Sequence, residues 1–223
     1  GAEARWIVLE GSGATPEEWL EIEAESVTVL ATHRIDTMVE RRLAGEPLQY
    51  VLGSWSFLGL DLMVDRRVLI PRPETETVVE QALARLPVDR DLAVLDLGTG
   101  SGAIALAIAH ERPRARVVAT DMSASALAVA GTNAQRLNIS NVEFVEADWY
   151  EGLLATRFDL IAANPPYVES RDPHLDEGDV RFEPRTALTP GGDGLAALRA
   201  IIAGAPTYLA PGGTLVVEHG YDQ

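Results

Sequence analysis

The chain has no cysteine among its 223 residues, which removes disulfides, thiol nucleophiles and the commonest zinc ligands together. Histidine is scarce: His33, His110, His174 and His219 lie far apart, and none has a metal-type partner at short spacing. Basic residues number 18 against 34 acidic ones, a formal net charge of −16. A surface of that sign repels phosphate backbones, so direct nucleic-acid binding is not expected. No apolar run reaches membrane length and no signal-peptide pattern is visible, so a cytoplasmic location without membrane contact is expected. What remains is ordinary globular material, 47% hydrophobic and 23% charged, long enough for one sizeable core and a small appendage.

The most informative stretch is Asn164-Pro165-Pro166-Tyr167, which follows the short apolar run Phe158 to Ala163. That run reads as a buried strand. Proline has no N–H for a sheet ladder, so two in succession take the chain off the sheet. The residue before a proline is kept out of the α region, so Asn164 is expected to be extended at a strand's carboxyl end, where open α/β sheets bind ligands. With few N–H groups nearby, carbonyl oxygens join the Asn164 side-chain oxygen as acceptors, and Tyr167 offers a flat face. Such a cluster suits a planar NH2 group. The alternative is a strand-ending proline turn capped by Asn.

Residues 1 to about 50 show little chemistry. Thr15-Pro16-Glu17-Glu18 predicts a helix start with proline at the first helical position, and Trp19, Ile22, Val27, Leu30 and Ile35 continue a roughly helical pattern to Leu43, before Gly45. This reads as a helical subdomain for substrate docking, or a simple cap on the core. Trp55, Phe57, Leu60, Leu62 and Val64 then alternate around Gly59, and Val68-Leu69-Ile70 follows the charged turn Asp65-Arg66-Arg67. The pattern predicts a β-hairpin linking two domains, over 51–72. Next come Pro71-Arg72-Pro73-Glu74-Thr75-Glu76 and an amphipathic helix through Val78, Val79, Ala82, Leu83 and Leu86. Glu74 and Glu76 suit a helix's first turn without any function. Arg72, a fixed charge between two prolines, is a candidate substrate-binding residue.

From about Leu92 strands and helices alternate: strands at 92–97, 116–120, 142–146, 158–163 and 214–218, helices at 102–110, 123–137 and 195–203. This predicts an α/β fold with a doubly wound, mostly parallel sheet. Its first turn is Asp96-Leu97-Gly98-Thr99-Gly100-Ser101-Gly102. Glycines between a strand and a helix let the backbone approach a ligand held at the helix N-terminus. Dinucleotide enzymes prefer G-x-G-x-x-G; glycine at every second position behind an acid resembles the first motif of S-adenosylmethionine-dependent methyltransferases instead. The second strand ends in Asp121, where an acid accepts ribose hydroxyls in this fold; its other reading is a helix cap, a task Ser123 also suits. After the third strand, Asp148 and Trp149 are placed to flank an adenine, one by hydrogen bonding and one by stacking. A core tryptophan is the alternative.

The order of glycine turn, ribose acid, Asp-Trp and Asn-Pro-Pro-Tyr resembles the amino-methyltransferases with an [Asn/Asp]-Pro-Pro-[Tyr/Phe] motif. Within them, Gly45-Glu46-Pro47-Leu48-Gln49-Tyr50, the Leu69 to Glu76 segment and Glu218-His219-Gly220 resemble the release factor glutamine methyltransferases, the HemK or PrmC family. The resemblance implies S-adenosylmethionine as cofactor, held by Gly98, Thr99, Gly100, Ser101, Gly102, Asp121, Asp148, Trp149 and Asn164. It implies Asn164, Pro165, Pro166 and Tyr167 around a glutamine amide, with Asn164, Pro165 and Tyr167 as catalytic residues. The substrate would be the Gly-Gly-Gln glutamine of a class I peptide chain release factor, methylated on N5. The domain expected over 73–223 lacks the strand pair that completes the family's sheet. Two neighbouring functions share parts of the pattern: glutamine methylation of a ribosomal protein, whose enzymes carry serine where Pro73 stands, and methylation of a nucleic-acid base, which calls for a basic face.

Overall fold

The computed structural model describes residues 1–15, 17–19, 27–154 and 156–223. Its centre is a five-stranded parallel sheet of β3 (Ala93–Leu97), β4 (Arg116–Asp121), β5 (Val142–Glu146), β6 (Phe158–Ala163) and β7 (Leu209–Val217), in the order β5-β4-β3-β6-β7. The chain winds outward from β3 through β4 to β5, then returns to the other side of β3 with β6. The switch in direction therefore falls between β3 and β6, and the carboxyl ends of both open onto one crevice.

The sheet's alternation sends side chains to two cores. Val94, Val117, Ala119, Leu160 and Ala162 pack with α4 (Pro73–Leu83) and α5 (Ala103–Glu111). Leu95, Leu97, Val118, Ile161 and Ala163 meet Ile201 and Ala205 of α8 (Ala196–Tyr208). Helix α5 is buried from Ala103 through Ala109, as expected of a helix apolar on every side. Helix α6 (Ala124–Arg136) runs between β4 and β5; its Ala126 and Val129 join Tyr50, Val64, Val68 and Ile70 in a third cluster. Among the described residues no helix is long and apolar enough to cross a membrane.

Helix α8 runs five residues past its expected end at Ala203. Gly204 lies inside it, where a β-carbon would collide with the Tyr150 ring. Tyr150 lies along the helix, donates to the Ile201 carbonyl at 2.8 Å and stacks on Tyr208 at 4.7 Å between centroids. Packing against one ring thus outweighs glycine's weak helix propensity of about 1 kcal/mol. Strand β7 follows without a break and starts at Leu209, five residues ahead of Thr214, the expected start.

The amino-terminal region departs further from expectation. Helix α1 (Ala2–Ser12) ends at the left-handed Gly13, ahead of the expected start; Pro16 and Ile22, on which that expectation partly rested, lie outside the described residues. Helix α2 (Val29–Leu43) has its own start, with the Thr28 hydroxyl accepting from the Ala31 N–H at 3.2 Å. Val27 and Leu30 are exposed; Ala31 and Met38 form the buried face instead.

Short helix α3 (Leu48–Leu52) leads into a hairpin of β1 (Ser54–Phe57) and β2 (Leu60–Met63), closed at Leu58-Gly59. Glu46 ties this region together. It accepts from Arg41 at 2.9 and 3.0 Å and from Arg66 at 3.2 Å, and these hydrogen bonds, Arg41's first, lower its pKa to about 2. A second tie is Asn133 of α6, fully buried. Its oxygen accepts from the Met63 N–H at 2.7 Å, and its amide nitrogen donates to the carbonyls of Met63 at 3.0 Å and Ser101 at 2.9 Å.

Candidate active site

Parallel strands bring the four loops that follow β3, β4, β5 and β6 to one edge of the sheet. A cavity of about 350 Å³ opens there, lined by Gly98, Gly100, Asp121, Asp148, Trp149, Asn164 and Pro166. Further walls come from segments that sequence reasoning did not place in the site: Arg66 to Leu69 after the hairpin, Met122, Ser123, Ser125 and Ala126 at the start of α6, and Pro184, Thr186 and Ala187 at the short helix α7 (Arg185–Leu188).

The glycine turn is locked from below. Thr99 is buried, with its N–H donating to the Thr120 carbonyl at 2.8 Å and its hydroxyl to Asp96 at 2.6 Å. Ser101 is buried through the Asn133 contact, and Gly102 packs on Leu106 and Ala130 at the foot of α5. These three shape the turn without lining the cavity. Gly100 does line it: φ is +56°, and a β-carbon there would meet no atom within 4 Å. Asp96 is wholly buried, and burial pushes its pKa up to about 7. Its second oxygen has no hydrogen-bond partner among the described residues.

Asp121 accepts from the Gly100 N–H and the Ser123 N–H, each at 2.9 Å. It is not the cap of α6, since Ser123 itself accepts from Ala126. Burial raises its pKa, opposed by those two bonds. Trp149 is half-buried against the Gly98 side of the turn. It adopts a left-handed φ of 51°, a conformation that costs a bulky residue free energy and concentrates at functional sites. Asp148 is exposed beside it and bridges to Glu151.

At the end of β6 the Asn164 side-chain nitrogen donates to the Thr75 hydroxyl at 2.9 Å. Thr75 in turn donates to Glu218 at 2.7 Å, and the Tyr167 hydroxyl donates to the other Glu218 oxygen at 2.9 Å. Burial, and then the neighbouring Glu218, push the Tyr167 phenol up to about 12. Pro165 is buried, and no backbone N–H among the described residues meets its carbonyl oxygen. Of the residues expected around the acceptor, Asn164 and Pro166 line the cavity, whereas Pro165, Tyr167 and Arg72 lie outside its lining. Arg72 pairs with Glu183, whose buried carboxylate also accepts from the Ile70 N–H at 3.0 Å. Glu183 carried no sequence signal, and although Thr75 and Glu218 lie in segments that carry the family resemblance, their contact was not visible, the partners of the two links being 111 and 143 residues apart. No group of side chains suited to a metal ion occurs among the described residues.

A parallel sheet reversing at β3, with a glycine turn on one side of the reversal and Asn-Pro-Pro-Tyr on the other, defines an S-adenosylmethionine-dependent methyltransferase of class I. Comparison with known proteins narrows this. The family model of the methyltransferase small domain matches residues 80–193, and that of the PrmC N-terminal domain residues 1–53. A release factor glutamine methyltransferase of Xylella fastidiosa (strain 9a5c) is 58% identical over 193 residues, covering 86% of this chain and 70% of its own. Another, of Burkholderia pseudomallei, is 47% identical over 227 residues, covering 99% and 80%. The chain belongs to the release factor glutamine methyltransferase family. More distant solved structures share the fold. A ribosomal protein L11 methylase from Lactobacillus delbrueckii subsp. bulgaricus superposes with a TM-score of 0.51 at 22% identity, over 72% of this chain and 67% of that one. A 16S rRNA N2 G1207 methyltransferase of T. thermophilus gives 0.53 at 22% identity, over 74% and 40%.

Proposed function

We propose that this chain methylates the side-chain amide nitrogen, N5, of the glutamine in the Gly-Gly-Gln motif of a class I peptide chain release factor. The observation that carries the reading is one cavity shared by Gly100, Asp121, Trp149 and Asn164, which puts a nucleoside-sized site beside an amide-sized acceptor.

The residues fit an S-adenosyl group. Gly100 leaves a cradle that any side chain would fill, Asp121 keeps free lone pairs for ribose hydroxyls, and Trp149, with Asp148 next to it, offers a ring face to adenine. Gly98, Thr99, Ser101 and Gly102 shape the turn that bounds this cradle, with the buried Asp96 carboxyl beneath it accepting from the Thr99 hydroxyl. Bound there, the group supplies an electrophilic methyl on a sulfonium.

The protein's own task is positioning. An amide nitrogen is a weak nucleophile because its lone pair is delocalised, and no carboxylate is basic enough to deprotonate it. Asn164 Oδ1 and the Pro165 carbonyl accept the two N–H bonds, which aligns the nitrogen and favours the positive charge that develops on it. Pro166 and the Tyr167 ring hold the amide plane, and the proton leaves to water afterwards. Arg72 acts at one remove: by holding Glu183 it sets the 183–188 segment that walls the cavity.

Asp121→Ala is expected to weaken S-adenosylmethionine binding by about 1.5 to 3 kcal/mol, the scale of hydrogen bonds to a charged group. The upper end is expected, because the substitution also frees the Gly100 N–H. Turnover at saturating cofactor should change much less; unchanged affinity by calorimetry would remove Asp121 from the site. The substrate reading is tested by mass spectrometry of a release factor incubated with enzyme and cofactor. One added methyl on the Gly-Gly-Gln glutamine is expected, and an unmodified factor refutes the proposal.

A further inference from the structure

We infer that Thr75 and Glu218 are positioning residues that set the polarity of the catalytic amide, holding Asn164 with its oxygen toward the acceptor. The inference rests on the glutamine-amide reading and adds two residues from opposite ends of the methyltransferase domain.

The argument is one of hydrogen-bond direction. A carboxylate offers acceptors only, so each Glu218 oxygen must be met by a donor. Thr75 has a single hydroxyl proton and gives it to Glu218 at 2.7 Å. Toward Asn164 it can then only accept, so the group facing it at 2.9 Å is the Asn164 NH2. The oxygen of the same planar amide is turned the opposite way, and Asn164 lines the cavity. Tyr167 is fixed likewise, its one proton committed to the second Glu218 oxygen at 2.9 Å. One carboxylate thereby dictates three orientations and leaves acceptors, not donors, for an incoming NH2 group. A flipped Asn164 would present N–H to N–H and lose the substrate's alignment.

The placement is rigid. Thr75 is 4% exposed and sits in the first turn of α4, while Glu218 directly follows β7 and its N–H donates to the Ala163 carbonyl at 3.0 Å. The link therefore spans the strand-end loop from both sides.

Thr75→Val keeps shape and burial but removes both hydrogen bonds. It is expected to lower kcat on the release factor at least about 30-fold, with the Kd for S-adenosylmethionine and the KM for the factor within about three-fold of the parent. Thr75→Ser should restore kcat to within about three-fold, which a packing role would not require. Glu218→Gln offers one oxygen and one NH2 to two hydroxyls, so one branch must reverse; a loss of about 10-fold or more is expected. A Thr75→Val enzyme turning over within about three-fold of the parent overturns the inference. If the parent leaves the release factor unmethylated, the substrate reading fails instead, and the orientation is judged without an acceptor. The Asn164 side-chain amide resonance, assigned by its loss in Asn164→Asp, should then shift and exchange faster in Thr75→Val; a resonance that stays put overturns the inference on its own.

Discussion

Asn164→Ala is expected to cut turnover by at least about 100-fold at saturating cofactor and release factor, while S-adenosylmethionine affinity changes little. The magnitude is that of one positioned transition-state contact, roughly 2.7 kcal/mol or more. Truncation removes the acceptor but leaves β6 intact, since the strand is held by its pairing with β3 and β7, so the loss should appear in kcat and not in folding. Asn164→Asp is the informative companion. It retains an oxygen toward the cavity but sets a second carboxylate against Thr75, whose single proton cannot serve both the introduced carboxylate and Glu218. Its turnover is expected to fall between those of the parent and the alanine protein. An alanine enzyme within a few-fold of the parent would show that the amide is held elsewhere.

Gly100→Val should abolish measurable cofactor binding in a protein that still folds. Two effects compete, and their sizes separate them. A left-handed φ of +56° costs a residue with a β-carbon about 1 to 2 kcal/mol, more for a branched one, against a domain stability of roughly 5 to 15 kcal/mol. No protein atom stands within 4 Å of the added carbon, so the fold itself is not obstructed. The side chain enters the cavity instead, in the space proposed for the cofactor. Circular dichroism should therefore be near that of the parent, with calorimetric heat on adding S-adenosylmethionine lost. A folded variant that binds normally would remove the turn from the site.

The core domain was legible in the sequence because β3, β4 and β6 are short, mostly apolar runs closed by turn signals and alternate with helical stretches. The parallel arrangement then follows from the alternation with helices and brings 98–102, 121, 148–149 and 164–167 to one edge without any long-range knowledge. The errors have physical causes. The helix end expected at 203 overlooks the Tyr150 ring packed against Gly204, and the helical pattern through Val27 and Leu30 overlooks that α2 buries Ala31 and Met38 instead. The ties that orient the site are the least visible. Arg72 with Glu183 and Thr75 with Glu218 depend on where two distant segments end in space, and ordinary acids at ordinary positions carry no pattern that betrays this. The 69–76 and 218–220 segments carry the family resemblance, but nothing in either shows that Thr75 touches both Glu218 and the Asn164 amide.

Asn133 has a consequence of a different kind. Its oxygen and both amide hydrogens are engaged by three backbone groups on the hairpin and the glycine turn, and no other side chain of that size carries the same complement. Aspartate would lose two donations and bury a charge; leucine would leave three backbone groups orphaned in the core. The position is thus chemically closed although it touches neither cofactor nor acceptor. Variation there would register as a failing enzyme while every residue around the transferred methyl remained unchanged.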